Sequence, residues 1–323
     1  MKRLASLLLS SSFLLAQNPP SFKVEATYVK VPVTVFDSKG RVLSDLTREQ
    51  FRLLDEGEPR TIENFVLDKT SVHVLLLLDV SGSVQQELDE IREAALRFAR
   101  SFGKEDRIAV ISFADEMEVL QDWTNNLRHL RKSLKDLQRG YRTALYDVLL
   151  ATAREKLAHV PGKKVVILLT DGLDNESQAT FDDVIDPLIE SNISLYIVSR
   201  TRLVEPQVQK SERVDFLNQV MKNVLHEEKD FVEIYFREKE TSMSYVSEAT
   251  GGRAFFPKKL EDLKDSYLQL ATELKNQYVL TFRPPGASDK QFHTIQVLCT
   301  QAVGKIYHRK RYSWIRPADP LTR

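Results

Sequence analysis

The chain has 323 residues, 42% of them hydrophobic and 28% charged, which is the composition of a folded globular protein and excludes a disordered one. Its 46 basic and 46 acidic residues cancel, so nothing favours general binding to nucleic acid or to an anionic membrane. A single cysteine, Cys299, excludes an intrachain disulfide framework and a thiolate metal cluster, and the length makes two domains the prior expectation.

The N-terminus reads as a cleaved export signal over residues 1–16. Lys2 and Arg3 form the positive region, residues 4–15 are apolar or Ser-rich, and Ala16 precedes a polar spacer. The apolar stretch is too short to span a bilayer, and no later segment is apolar enough to do so. Residues 17–70 form a β segment. Apolar and polar residues alternate over 22–36, Thr47 can cap a short turn over 48–50, and strands are expected at 51–54 and 61–66 around the turn 55–59.

From residue 71 to 277 strands alternate with helices, the pattern of βαβ units and a mostly parallel sheet. Strands are expected at 72–78, 107–113, 118–121, 164–170, 193–198 and 253–256. Helices are expected at 84–102, 127–137, 144–158, 181–191, 239–249 and 260–274. In the first of these, Leu88, Ile91, Ala95, Phe98 and Ala99 recur at helical spacing. Residues 200–240 are a charge-rich insertion with a helical patch at 214–225, read as a solvated surface excursion. The chain closes in strands at 278–283, 292–299 and 306–314. Both ends are therefore β, and the economical architecture is a doubly wound α/β domain inserted into a small β-sandwich built from residues 17–70 and 278–323. Cys299 falls in a strand and is expected to be a buried, inert thiol.

Oxygen ligands gather at the ends of two apolar strands. The run 74–78 stops at Asp79, and Ser81 and Ser83 follow at alternate positions, with Gly82 between them leaving room for a ligand. The run 165–169 ends in Thr170, Asp171 and Gly172, with Asp174, Asn175 and Ser177 close behind. Thr143 precedes the helix at 144. Open α/β sheets place ligands at these strand ends, and oxygen-only donors suit a hard divalent cation.

Together these segments resemble the von Willebrand factor A-type domain and its metal-ion-dependent adhesion site, over roughly residues 71–277. Asp79, Ser81 and Ser83 match the first loop of that site, Thr143 the second and Asp171 the third. The flanks resemble secreted bacterial proteins with a VWFA-related domain, over residues 31–65, 248–255 and 278–284. The resemblance implies a Rossmann-like fold and a Mg²⁺ site, with Mn²⁺ or Ca²⁺ as alternatives. It also implies an open coordination position that an Asp or Glu side chain of a protein partner fills.

Each residue also has a plain structural use. Ser83 and Gln86 would make a capping box, Thr143 would cap the next helix, and Asp171-Gly172 is a common turn. All of these in one order favour the cation site. No Gly-x-Ser-x-Gly elbow, Walker loop or zinc spacing occurs. An aspartyl-phosphate phosphatase would need a second acid where Ser81 stands. His73 is expected to be structural, His293 and His308 to be isolated, and Arg309-Lys310-Arg311 to be a solvated strand end. The expectation is an exported, non-enzymatic, periplasmic or extracellular binding protein. Its rivals are a metal-dependent hydrolase at the same site and a structural envelope protein.

Overall fold

In the computed structural model, which describes residues 28–82, 85–114, 116–174, 176–210, 231–285, 291–301 and 304–314, the two ends of the chain fold together. The export segment 1–16, Ser83, Asn175 and the patch 214–225 lie outside the described residues. The first strands are β1 (Val29–Val35), β2 (Phe51–Asp55), β3 (Glu58–Arg60) and β4 (Asn64–Leu67). Next come β5 (Val72–Asp79), α1 (Gln85–Ala99), β6 (Arg107–Phe113), β7 (Met117–Thr124), α2 (Leu127–Ser133) and α3 (Leu145–Ala151). They are followed by β8 (Lys163–Thr170), α4 (Phe181–Glu190), β9 (Ile193–Ser199), α5 (Thr201–Gln209), α6 (Phe231–Thr250), β10 (Ala254–Phe255) and α7 (Asp262–Lys275). The last strands are β11 (Tyr278–Phe282), β12 (Phe292–Cys299), β13 (Ile306–His308) and β14 (Arg311–Ser313).

The terminal strands make two antiparallel four-stranded sheets, ordered β13-β1-β11-β4 and β14-β12-β2-β3. N-terminal and C-terminal segments alternate in the first and meet at the centre of the second: Val31 faces Leu280 across β1 and β11, and Leu53 faces Val297 across β2 and β12. The alternation in β12 turns His293, Ile295 and Val297 inward and Thr294, Gln296 and Leu298 outward. Ile295 and Val297 join Val31, Val33, Leu53, Leu280 and Phe282 in one apolar core.

Four sequence expectations differ here. The segment 61–66 is not one strand, because the hairpin turns earlier. Glu56 and Gly57 take φ of 51° and 85°, the left-handed pair of a tight two-residue turn, so pairing resumes at Glu58. Pro59 is tolerated there because β3 is an edge strand. The segment 306–314 is two strands in two sheets, and Cys299 is half-buried at the core edge. His293 and His308 are not isolated. His293 stacks on Tyr312, with 5.1 Å between ring centroids, and His308 Nε2 accepts from the backbone N–H of Val297 at 3.3 Å.

The central sheet has six strands in the order β10-β9-β8-β5-β6-β7, parallel except for the edge strand β7. The leucine run of β5 lies in the middle, buried on both faces. Val74, Leu76 and Leu78 face α1 and α7, while Leu75 and Leu77 face α3, α4 and α6. The predicted stripe of α1 is buried throughout. The helix expected at 239–249 is longer, running twenty residues as α6, and α3 passes into π-helical turns at Thr152–Lys156. From β5 the chain proceeds to β6 and β7 on one side, then returns to β8 and β9 on the other. The strand order therefore reverses between β5 and β8, so the C-terminal ends of these two strands flank the crevice that such sheets use for ligands.

Candidate functional site

Asp79 ends β5 and is fully buried. Its Oδ1 accepts hydrogen bonds from the Ser81 backbone N–H at 3.0 Å and the Ser81 hydroxyl at 2.5 Å. Its Oδ2 accepts from the Thr170 hydroxyl at 2.7 Å, so the end of β8 fixes the carboxylate of β5 from the other side. Thr170 Oγ1 in turn accepts from the N–H of Gly172 at 2.9 Å, and Gly172 has φ 75°, a conformation that favours glycine. That turn presents Asp171, whose Oδ1 accepts from the N–H of Leu173 at 3.0 Å.

The second loop is tied to both others. Ser81 and Gly140 form a parallel bridge in which Gly82 N–H donates to Gly140 O at 3.0 Å. Thr143 is 2% exposed, and its carbonyl accepts from Glu176 N–H at 3.1 Å. The N-cap position of the helix that follows is Ala144, not Thr143. The N-terminus of α3 is satisfied from the third loop: Asp174 Oδ1 accepts from Leu145 N–H at 3.0 Å, and Ser177 Oγ accepts from Tyr146 N–H at 3.0 Å. Asp79, Ser81, Thr143 and Asp171 are thus buried on three interlocked loops at the strand-reversal crevice, while Ser83 lies outside the described residues.

Burial raises the carboxyls of both aspartates above the usual range, against the opposing effects of Arg200 and of neighbouring hydrogen bonds. Asp171 is pushed up to about 6, with the negative charge of Asp79 the second cause after burial. Two acids that disfavour each other's ionisation in a dry crevice, flanked by two hydroxyls, suit a hard divalent cation, which would relieve both effects. Among the described residues no three His, Cys, Asp or Glu side chains gather as a metal cluster, so any ion here would rely on hydroxyls as well as carboxylates.

Residues 74–173 match the family model of the von Willebrand factor type A domain. This stretch of the chain is similar to a von Willebrand factor type A domain. Solved structures similar in fold include BatB, a conserved hypothetical protein of Bacteroides thetaiotaomicron, at 17% identity and TM-score 0.34, covering 40% of this chain and 66% of that one. Proximal thread matrix protein 1 of the mussel byssus aligns at 14% identity and TM-score 0.45, covering 68% of this chain and 51% of that one. An aerotolerance-related membrane protein of Bacteroides fragilis aligns at 14% identity and TM-score 0.42, over 63% of this chain and 100% of that one. This chain therefore spans less than two thirds of the length of the first two. No curated protein matches the sequence.

Sequence reasoning missed three neighbours of the type A site. Thr170 was visible at the strand end, but its bond to Asp79 was not. Glu87 lies on the first turn of α1. Arg200, one residue beyond β9, was assigned to a solvated excursion and is instead 2% exposed within the crevice. Position alone could have flagged it, since β9 lies beside β8 and its end must reach the same crevice. The described ends of the excursion are packed as well. Val232 and Phe236 of α6 sit with Val204 and Val208 of α5 against Leu173, within the third loop. Among the described residues no helix is long and apolar enough to cross a membrane.

Proposed function

We propose that this chain is an exported, non-enzymatic binding protein whose type A domain holds a divalent cation and uses it to capture an Asp or Glu side chain of a partner protein. Asp79, Ser81, Ser83, Thr143 and Asp171 would hold the ion, with Mg²⁺ the first choice and Mn²⁺ or Ca²⁺ as alternatives. The ion would supply an electrophilic position that a partner carboxylate can occupy, and the chain's own oxygens would orient it.

The observation that carries this reading is the pairing of Asp79 and Asp171 at the ends of adjacent strands, both buried, with the buried Ser81 and Thr143 on the loops interlocked with them. Burial of two acids side by side is costly, and a bound cation gives the arrangement a purpose. A hydrolytic use of the same ion would need a general base. His73 is at the opposite end of β5, six residues from Asp79 and so about 20 Å away.

The test is calorimetric titration of Mg²⁺ and Mn²⁺ into chelator-treated protein, for wild type and Asp79→Ala, followed by a short acidic peptide. Metal binding lost in the variant, and peptide binding that requires metal, are expected. A wild type that binds no cation would overturn the reading.

A further inference from the structure

Arg200 is the one guanidinium that reaches all sides of the first and third loops among the described residues. Its backbone N–H continues the β8–β9 ladder by donating to Thr170 O at 2.7 Å, which fixes its position beside Asp171. Its side chain then runs back across the end of β8. Nη2 lies 3.3 Å from the carbonyl oxygen of Asp79, 3.4 Å from that of Ser81 and 3.8 Å from Asp171 Oδ2. Nη1 donates to Glu87 Oε2 at 3.1 Å, on the first turn of α1. The Arg200 side chain is 2% exposed and that of Glu87 is 16% exposed, so solvent screens little of this charge.

The guanidinium therefore pairs with two carboxylates, Asp171 and Glu87, and meets the backbone carbonyl of Asp79, whose own carboxylate shares the crevice and feels its charge. Formally that leaves two negative charges, which is what one divalent cation neutralises. We propose that Arg200 is a built-in counter-charge and positioning residue: it holds the Asp79 and Asp171 loops together when no cation is bound, and its charge, balanced by Glu87, sets how tightly a divalent cation binds. This inference rests on the cation-site reading. A buried arginine serving only as a clamp would look the same in the static structure, but the two roles predict opposite consequences of removing the charge. A clamp preorganises the loops, so losing it weakens metal binding. A counter-charge repels the incoming ion, so losing it tightens binding while leaving the empty site less stable.

Mg²⁺ and Mn²⁺ are titrated calorimetrically into chelator-treated full chain of wild type, Arg200→Gln, Arg200→Lys and Glu87→Gln, and thermal unfolding is followed with chelator and with saturating Mg²⁺. Arg200→Gln is expected to bind Mg²⁺ at least about tenfold more tightly. It should melt at a lower temperature than wild type in chelator and show a larger metal-induced rise. Glu87→Gln, which leaves the guanidinium less balanced, is expected to bind several-fold more weakly, and Arg200→Lys, which keeps the charge, close to wild type. If Arg200→Gln fails to fold, Arg200→Lys decides between a clamp, which it would weaken as Glu87→Gln does, and a charge, which it preserves. Weaker binding in every Arg200 variant, or unchanged binding in Arg200→Gln and Glu87→Gln, overturns the inference. No binding by wild type overturns the cation reading itself, and the inference with it.

Discussion

Arg253 and Glu273 form an ion pair at the seam between the β-sandwich and the type A domain, with the Glu273 side chain only 1% exposed. Arg253 follows α6 and Glu273 lies on α7. The guanidinium also sits over Phe255, 4.1 Å from the ring centroid, and over Phe36 and Tyr307 of the sandwich side, each at 5.1 Å. One cation thus answers a buried carboxylate and three ring faces drawn from both halves of the molecule. Such contacts contribute roughly 0.5 to 2 kcal/mol each, according to how far they are desolvated. Arg253→Met should cost about 3 to 5 kcal/mol in urea unfolding, because it leaves Glu273 buried without its partner.

The same pair makes stability depend on pH. Burial pushes the Glu273 carboxyl up to about 7, against the pull of Arg253, from an ordinary 4.5. The folded state therefore binds more protons than the unfolded chain between those values, and this group's contribution to stability falls as pH rises through that window. Its penalty is absent below about 4.5 and complete above about 7. Glu273→Gln removes the titration, so the variant should gain on wild type by about 2 kcal/mol between pH 5 and pH 8. Urea midpoints at the two pH values measure this. An equal difference at both would show that Glu273 does not titrate differently on folding.

The run Arg309-Lys310-Arg311 should behave unevenly. Arg309 is 4% exposed, donating from Nη1 to Asn192 Oδ1 at 2.5 Å and from Nε to Thr250 O at 3.3 Å, and burial lowers its guanidinium to about 10. Lys310 pairs with Glu248, and Arg311 pairs with Asp186, with both contacts partly exposed. Arg309→Met is expected to cost about 2 kcal/mol, by stranding the buried carbonyl of Thr250 and losing the bond to Asn192, and Lys310→Ala and Arg311→Ala about 0.5 kcal/mol or less each. Equal effects from all three, in chemical denaturation, would contradict this assignment.

These residues mark where sequence pattern stops being informative. The doubly wound sheet was legible because a strand buried on both faces must be an unbroken apolar run, and β5, β8 and β9 are such runs. The sandwich was legible from β-type alternation at both ends, which need each other for partners. Asp79, Ser81 and Asp171 could be singled out because polar groups that end apolar strands are unusual. Arg200, Arg253 and Arg309 could not. A charged residue looks the same in sequence whether water or a buried carboxylate answers it, and solvation is the more frequent outcome. The split of β13 from β14 was hidden for a related reason, since it depends on His308 bonding to Val297 rather than on any change in periodicity.

Asp174 holds the second loop through the start of α3. Its Oδ1 accepts from Leu145 N–H and from the Ser177 hydroxyl, at 3.0 and 2.8 Å. Asp174→Ala removes this cap and should cost about 1 to 2 kcal/mol of stability by thermal or urea unfolding. Because α3 follows directly on Thr143, the variant should also weaken Mg²⁺ binding several-fold. Full stability in Asp174→Ala would mean that the N-terminus of α3 is satisfied without it.

Thr170 is the other support that the sequence did not reveal, and it separates holding a ligand from being one. Its hydroxyl donates to Asp79 Oδ2 at 2.7 Å and accepts from Gly172 N–H at 2.9 Å, so one oxygen aligns the first loop with the third. It is fully buried, and valine fills nearly the same volume without the hydroxyl. Thr170→Val therefore keeps the packing and removes both bonds, at a cost of about 1 to 3 kcal/mol in unfolding free energy. If Asp79 binds a cation, loss of this orienting bond should weaken Mg²⁺ by roughly 10- to 100-fold, the usual effect of removing a support behind a metal ligand. Thr170→Ser retains the hydroxyl and should restore most of the affinity, though not all of the packing. Calorimetry on the two variants beside wild type makes the comparison. Wild-type affinity in Thr170→Val would show that Asp79 is oriented without help from β8.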